Sequence, residues 1–362
     1  MKYGFIADIH LATSDNLSPI DGASGLSIRT LDKLKALDKA LNISVERGCE
    51  VFFLIGDIFD KLNPPDRLKK AFYETLKPYF YKIGLHIIVG NHDGADFTNN
   101  YLSEQLLMEE VENPPIHIID KIKTLSLGIK GDEILVIPWT IDGASVETAV
   151  IEANKNILCL AHHEISGAVA STEYVLTGGF PAGMFDKFRH TFMGHYHRYQ
   201  IIKKVTYVGS PIIKDFSELG VAKGFIIYDY SSNKAEFINL EERKAYVITI
   251  NEQNAEEIEA WLEQEQIKEG SLIKIILEGD VHWVRQSRPV VYEVFHALNP
   301  LKLIIDKKIL KQNIENATQE AILNSTNRLD RLKKFSKDVD KSWIDYGLKI
   351  YTQAENKFME GS

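Results

Sequence analysis

The chain has 362 residues, 44% of them hydrophobic and 26% charged, with a formal net charge of −9. That length exceeds a single core, so one sizeable domain with one or two smaller modules is expected, and the composition excludes disordered and fibrous classes. The acidic balance argues against a surface that is positive throughout and grips nucleic acid without specificity, although carboxylates gathered around cations leave room for a local basic path.

Met1 to Ile6 leads straight into an apolar, strand-like segment without the long apolar stretch and small-residue cleavage site of a signal peptide, and no segment approaches the length of a membrane span. Cys49 and Cys159 sit beside apolar strand-like residues and read as buried free thiols, so a reducing, cytoplasmic compartment and no membrane partner are expected.

Apolar runs with β-branched or aromatic content at Lys2 to Ala7 and Val51 to Ile55 predict strands, and the patterned segment Ile28 to Arg47 between them predicts a helix. A second such unit follows, with a helix over Pro65 to Tyr81 and a strand over Leu85 to Val89. From there the strands come closer together: Ile116 to Ile119, Thr124 to Leu127 and Ile134 to Pro138, then a helix near Ser145 to Ala153 and a strand at Ile157 to Ala161. After Arg189 more short strands appear, including Ile201 to Lys203, Val205 to Val208, Phe225 to Tyr230 and Ala235 to Asn239. The fold class expected is α/β. Two facing mixed sheets with helices on their outer faces, a four-layer αββα sandwich over residues 1–243, would bury both inner surfaces.

Near Glu241 to Lys244 the charge rises and the pattern restarts as strand Tyr246 to Asn251, helix Ala255 to Glu263, strand Ser271 to Leu277, helix Pro289 to Ala297 and strand Leu301 to Asp306. That is a smaller α+β module over 244–308. Residues 309–362 begin polar and Lys-rich. They end with Phe335, Val339, Trp343, Tyr346, Ile350 and Phe358 spaced like one face of a helix, which predicts a C-terminal helical tail that docks on something else.

Five short motifs each follow a strand: Asp8-Ile9-His10, Gly56-Asp57-Ile58-Phe59-Asp60, Gly90-Asn91-His92-Asp93, Ala161-His162-His163-Glu164 and Gly194-His195-Tyr196-His197. Residues two apart on a strand share a side, so Asp8 and His10 are expected to point together. Carboxylate and amide oxygens mixed with imidazoles suit divalent manganese, iron or zinc, and the lack of cysteine ligands argues against structural zinc. Singly such motifs are weak, and a lone pair of this kind is more often a turn or a surface pair. Five in order make a catalytic metal site the better reading.

The set resembles the calcineurin-like metallophosphoesterase superfamily, whose fold is the αββα sandwich with a two-metal site at the sheet edge. More narrowly, the second motif with Pro64-Pro65, together with Ile137-Pro138-Trp139, Gly209-Ser210-Pro211, Asp215-Phe216 and Lys223-Gly224-Phe225, resembles the SbcD (Mre-eleven-type) DNA-repair nucleases. The nuclease subunits of phage recombination endonucleases share this style. The resemblance implies that Asp8, His10 and His197 hold one metal, that Asn91, His162 and His195 hold the other, and that Asp57 bridges both. It implies two ions, Mn2+ foremost, about 3.5 to 4 Å apart over a phosphodiester. His92 then matches the active-site histidine that stabilises the phosphate or protonates the leaving oxygen, with Asp93 orienting its ring. It further implies a duplex exonuclease and single-strand endonuclease acting on DNA, a homodimer, a small module that caps the cleft, and C-terminal helices that dock on an SbcC-type ABC ATPase. The same metal set also fits a general phosphodiesterase or phosphatase, and a scaffold acting through its partner is a third reading.

Other residues carry milder expectations. Strand alternation allows only one of His162 and His163 to be the ligand, and the family pattern favours His162, while Asp60 and Glu164 read as supporting residues. His86, His117 and His190 read as core-edge histidines, and His282 and His296 carry no chemistry. Arg29 and Arg198 stand near phosphate reach, with solvated surface charge the favoured reading. The lysines at Lys307, Lys308 and Lys311 fit a linker.

Overall fold

The computed structural model describes residues 1–94, 115–127, 132–170, 175–240 and 243–310. They fall into two units: Met1–Ile248 with Glu259–Ile275 and Tyr292–Ile305, and Thr249–Ile258 with Ile276–Val291 and the residues from Asp306 on.

In the larger unit the chain runs β1 (Lys2–Ile6), α1 (Ile28–Glu46), β2 (Val51–Ile55), α2 (Asp66–Leu76), β3 (Gly84–Ile88), β4 (Ile116–Ile119), β5 (Lys123–Leu127) and β6 (Asp132–Ile137). It continues through α3 (Gly143–Glu152), β7 (Leu158–His162), β8 (Ile165–Ser166), β9 (Phe180–Pro181), β10 (His190–Gly194), β11 (Gln200–Ile202), β12 (Val205–Tyr207), β13 (Gly224–Asp229) and β14 (Lys234–Asn239). Among the described residues these strands form two six-stranded sheets, ordered β14-β13-β1-β2-β3-β4 and β11-β12-β10-β7-β6-β5. Their centres are parallel. Antiparallel strands flank them, as β13 against β1 and β5 against β6.

The unbroken apolar strand Val-Phe-Phe-Leu-Ile of β2 is buried on both faces, as a central parallel strand must be. Its alternation divides two cores. Phe52 and Leu54 pack with Leu37 and Leu41 of α1 and Leu68 and Phe72 of α2. Val51, Phe53 and Ile55 pack with Val136, Leu160 and Phe192 of the second sheet, where the rings of Phe5 and Phe192 stack at 4.4 Å between centroids. On the far side of that sheet Val146 and Val150 of α3 cover Leu135, Ile137, Cys159 and Met193. The layers are therefore helix, sheet, sheet, helix, as expected for an αββα sandwich. Cys49 and Cys159 are both buried free thiols.

Ser27 caps α1, its side chain accepting from the Thr30 amide. α2 is shorter than the expected Pro65–Tyr81. It stops at Leu76 and tightens into a 3-10 turn over Lys77–Tyr79, because Pro78 has no N–H to continue the α-helical ladder.

The remaining elements are β15 (Ala245–Ile250), α4 (Ile258–Glu265), β16 (Leu272–Gly279), α5 (Val281–His296) and β17 (Lys302–Ile309), with strand order β15-β16-β17. Within the larger unit Leu272 packs with Leu17 and Ile213, and Arg243 pairs with Asp32, its Nε 2.9 Å from Oδ2. Within the smaller unit Asp280 accepts from the amides of His282 and Trp283 at 2.7 and 2.9 Å, which starts α5 eight residues before the expected Pro289. Pro289 lies inside the helix on an exposed position, where a carbonyl left without its helical partner costs little because it can face solvent. The predicted C-terminal helices lie outside the described residues. Among the described residues no helix is long and apolar enough to cross a membrane.

Candidate metal centre

Because β1, β2 and β3 are parallel neighbours, their C-terminal ends lie side by side, and so do those of β7 and β10 in the facing sheet. All five motifs leave from these ends. The strand β10, which the sequence suggested only as one of several short strands after Arg189, delivers the fifth.

The first motif does not work by strand alternation. β1 ends at Ile6, and Asp8 and His10 sit beyond it with left-handed backbones, φ 52° and 48°. Asp57 (φ 52°) and His195 (φ 100°) share this conformation. Each costs on the order of 1 to 3 kcal/mol for a residue other than glycine, and such strain persists where the surroundings over-determine it. Here the loops hold each other. The amides of Asp8, His10 and Leu11 donate to the carbonyls of Gly56, Asp57 and Ile58 at 3.1, 2.9 and 2.8 Å, and the Asp8 carboxylate accepts from the His195 amide at 2.8 Å.

Among the described residues three groups of donor atoms converge, each within 4.8 Å: Asp8, His10 and His197 in the first, Asp57, His162 and His195 in the second, and His10, Asp60 and His92 in a third that shares His10 with the first. In the first, the Nε2 atoms of His10 and His197 stand 3.0 Å apart. In the second, Asn91 Oδ1 lies 3.1 Å from His162 Nε2 and 2.9 Å from His195 Nδ1. Asp57 stands between the groups, its Oδ2 3.4 Å from His162 Nε2 and 3.6 Å from His10 Nε2. All seven sequence-predicted ligands are thus brought together.

In three of the four histidines the ring nitrogen that faces away is occupied. His162 Nδ1 donates to the Ile55 carbonyl at 2.9 Å, His197 Nδ1 to the Glu218 carboxylate at 2.8 Å, and His195 Nε2 to Glu164 at 3.2 Å. Each of these histidines therefore turns a lone pair inward, toward carboxylate and amide oxygens that also carry lone pairs. Acceptors this close repel unless a proton or a cation lies among them, and the mixed N and O set suits a divalent ion. Burial lowers His10 to about 4 and His195 to about 3, keeping both neutral as ligands must be. Burial would lower His162 too, but the Asp57 charge overrides it and raises His162 to about 9. Burial raises Asp8 to about 6. Asp57, despite burial, is held well below the usual carboxylate range by His162.

His92 is tied to the centre by its amide, which donates to Asp57 Oδ1 at 2.9 Å. Its ring is oriented by the Asp60 carbonyl, 2.9 Å from Nδ1, which corrects the expectation that Asp93 orients it. The Asp93 carboxylate is buried and already accepts from the amides of Ile58, Phe59 and Gly90 at 2.9, 3.1 and 3.1 Å, so it locks the second and third motifs together. Asp60 Oδ1 lies 3.5 Å from His10 Nδ1, a supporting position. His163 turns away, its Nε2 donating to the Pro138 carbonyl at 3.1 Å.

Arg29 corrects both of its readings. It is 0% exposed and donates to the Ile213 carbonyl at 2.6 Å, so it is neither solvated nor free for a phosphate.

Four supporting residues escaped sequence reasoning as site residues. Buried Lys33 donates to the His10 carbonyl at 2.7 Å. Trp139 stacks on His195 with centroids 5.3 Å apart and planes 16° apart. Glu218 receives His197, and Lys223 pairs with Glu218 at 2.7 Å. Trp139 and Lys223 lie within the segments whose resemblance was noted, but only the fold shows what they touch.

Residues 1–199 match the family described as calcineurin-like phosphoesterase. Exonuclease subunit 1 of Enterobacteria phage T4 is 24% identical over 215 residues, covering 57% of this chain and 60% of that protein. DNA double-strand break repair protein Mre11 of Archaeoglobus fulgidus is 25% identical over 331 residues, 80% of this chain and 71% of that one. The D component of the SbcCD nuclease of Bacillus subtilis is 25% identical over 271 residues, 63% of this chain and 66% of that one. The chain thus spans less than two thirds of the length of the phage and Bacillus proteins. With the family match running through all five motifs on the sandwich that carries them, the chain belongs to the calcineurin-like phosphoesterases.

Proposed function

We propose that the chain is a DNA nuclease that hydrolyses phosphodiesters with two divalent cations, Mn2+ foremost, as an exonuclease on duplex ends and an endonuclease on single strands. Asp8, His10 and His197 would hold one cation, Asn91, His162 and His195 the other, and Asp57 would serve both. The observation that carries this is the convergence of seven donors with Asp57 Oδ2 3.4 and 3.6 Å from one histidine of each group. Such cations, when bound, supply Lewis acidity that polarises the phosphate, activates water and steadies the leaving oxygen.

The chain's own residues do the rest. With Nδ1 donating to the Asp60 carbonyl, His92 keeps Nε2 free to carry a proton toward the leaving 3′ oxygen or to hydrogen-bond the phosphate. Asp93 acts on this reading by position: it fixes the Gly90 turn from which His92 projects. Half-exposed Lys214, with Nζ 3.7 Å from Asp60 Oδ1, places positive charge beside the centre for an incoming backbone phosphate.

DNA as substrate is supported by the names of the three relatives, each a nuclease or a DNA repair protein. A place in an SbcCD-like complex with an ABC-type ATPase, docked through residues 309–362, with 244–308 as a cap over the cleft, a homodimer and a cytoplasmic location complete the proposal. The test is linear duplex DNA incubated with Mn2+ and then with each other divalent ion in turn. Release of nucleotides from the ends is expected, and hydrolysis confined to small phosphoesters would replace the nuclease by a general phosphodiesterase.

A further inference from the structure

The two groups of donors are supported differently. His162 rests on a neutral backbone carbonyl, and His195 on Glu164, whose side chain is 43% exposed. His197 instead rests on a carboxylate sealed from water: Glu218 is 3% exposed, and its Oε1 accepts from His197 Nδ1 at 2.8 Å. The other oxygen accepts from the Lys214 amide at 2.8 Å and from Lys223 Nζ at 2.7 Å.

Lys223, itself 4% exposed, also donates to the His197 carbonyl at 2.9 Å and to Ser210 Oγ at 2.8 Å. It therefore grips both the backbone of His197 and the carboxylate that holds its ring. The connection from β12 to β13 is built around this arrangement. Asp215 caps the 3-10 turn Phe216–Glu218 by accepting from the Ser217 amide at 2.7 Å, and that turn carries Glu218 inward. A buried ion pair contributes little to stability against an apolar replacement of the same shape, so its place here calls for another reason. A buried carboxylate on Nδ1 fixes the imidazole with its lone pair on Nε2 and makes that nitrogen a stronger donor to a metal.

We propose that Glu218, clamped by Lys223, is the positioning residue of His197, and that the affinity of the Asp8–His10–His197 cation site depends on it while that of the other site does not. This rests on the two-cation reading above. Two measurements on the full chain separate the proposals. In the first, Mn2+ is titrated into wild type, E218Q and E218Q/K223M, with free Mn2+ read by electron paramagnetic resonance. The double variant removes both charges together, so it strands no lone buried charge and keeps the test valid should E218Q fail to fold. Two sites are expected in wild type, and in the variants one site weakened about 10- to 100-fold with the other unchanged. Equal weakening of both, or of neither, overturns the proposal. In the second, nitrogen spectra of labelled histidine are read in the metal-free protein. His197 is expected to be protonated at Nδ1 in wild type and to become a mixture of tautomers in E218Q/K223M; protonation at Nε2 in wild type, or no change in the variant, overturns the role of Glu218. A wild type that takes up fewer than two Mn2+ sinks the two-cation reading, while the spectra still judge Glu218 separately.

Discussion

His92 shows how a residue can sit beside seven ligand candidates without being one of them. Its amide is committed to Asp57 and its Nδ1 to the Asp60 carbonyl, and its ring meets that of His10 edge-on at 4.7 Å. Replacing it with glutamine leaves the backbone contact to Asp57 in place. His92→Gln is expected to bind Mn2+ as wild type does and to cleave DNA about 100-fold or more slowly, measured by calorimetry and by single-turnover cleavage. Loss of Mn2+ binding in this variant would make His92 a ligand and reassign the centre.

At this scale the ligand types were legible because Asp, Asn and His at loop starts are chemically distinctive. Their supports were not. Glu218 drew no reading, and Lys223 stood out only within a segment of family resemblance, until the β12–β13 connection brought them under His197, and Arg29 looked like surface until its guanidinium proved to be sealed against Ile213. Distant sequence positions carry no mark of meeting. The left-handed backbones of Asp8, His10, Asp57 and His195 were likewise invisible, since none of these residues is glycine and the conformation is imposed by the paired loops.

The strands were readable where their interiors are mostly apolar, most plainly in the unbroken Val-Phe-Phe-Leu-Ile of β2, and the ends of β1, β2 and β3 were readable because an aspartate or a glycine follows within two residues. The helix ends were harder. Pro78 cut α2 short, and Asp280 started α5 well before Pro289, because local capping outweighed the pattern of the interior. The glycines at the strand ends have a steric task of their own. A Cβ at Gly90 would overlap the backbone nitrogen and the carboxylate of Asp57 and come within 3.0 Å of its Cγ, so the β3 loop fits against the β2 loop only without a side chain. Gly90→Ala is expected to destabilise the protein by about 1 to 3 kcal/mol and to weaken Mn2+ binding at both sites, since Asp57 serves both. A thermal melt and a titration check this. Unchanged Mn2+ affinity would show that Asp57 does not join the two groups.

Over the whole sandwich, burial sets the response to acid away from the centre. His86 is 7% exposed, packed beside the rings of Phe53 and His117, and burial lowers it to about 4. A histidine depressed in the folded state contributes stability that is present above its unfolded value near 6.5 and is lost as pH falls through about 4, because the unfolded chain takes up the proton first. The span corresponds to roughly 3 kcal/mol. His86→Phe is expected to flatten the loss of stability between about pH 6.5 and 4, followed by urea unfolding at several pH values. An acid limb as steep as that of wild type would show that His86 titrates freely in the fold.

The roles given to His92 and to the ligands all depend on the pairing of two donor groups through Asp57. Crystals grown with Mn2+ and measured for anomalous scattering test it directly. Two peaks are expected, one touching Asp8, His10 and His197, the other Asn91, His162 and His195, with Asp57 reaching both. A single peak, or a pair in which Asp57 touches only one ion, would contradict the account.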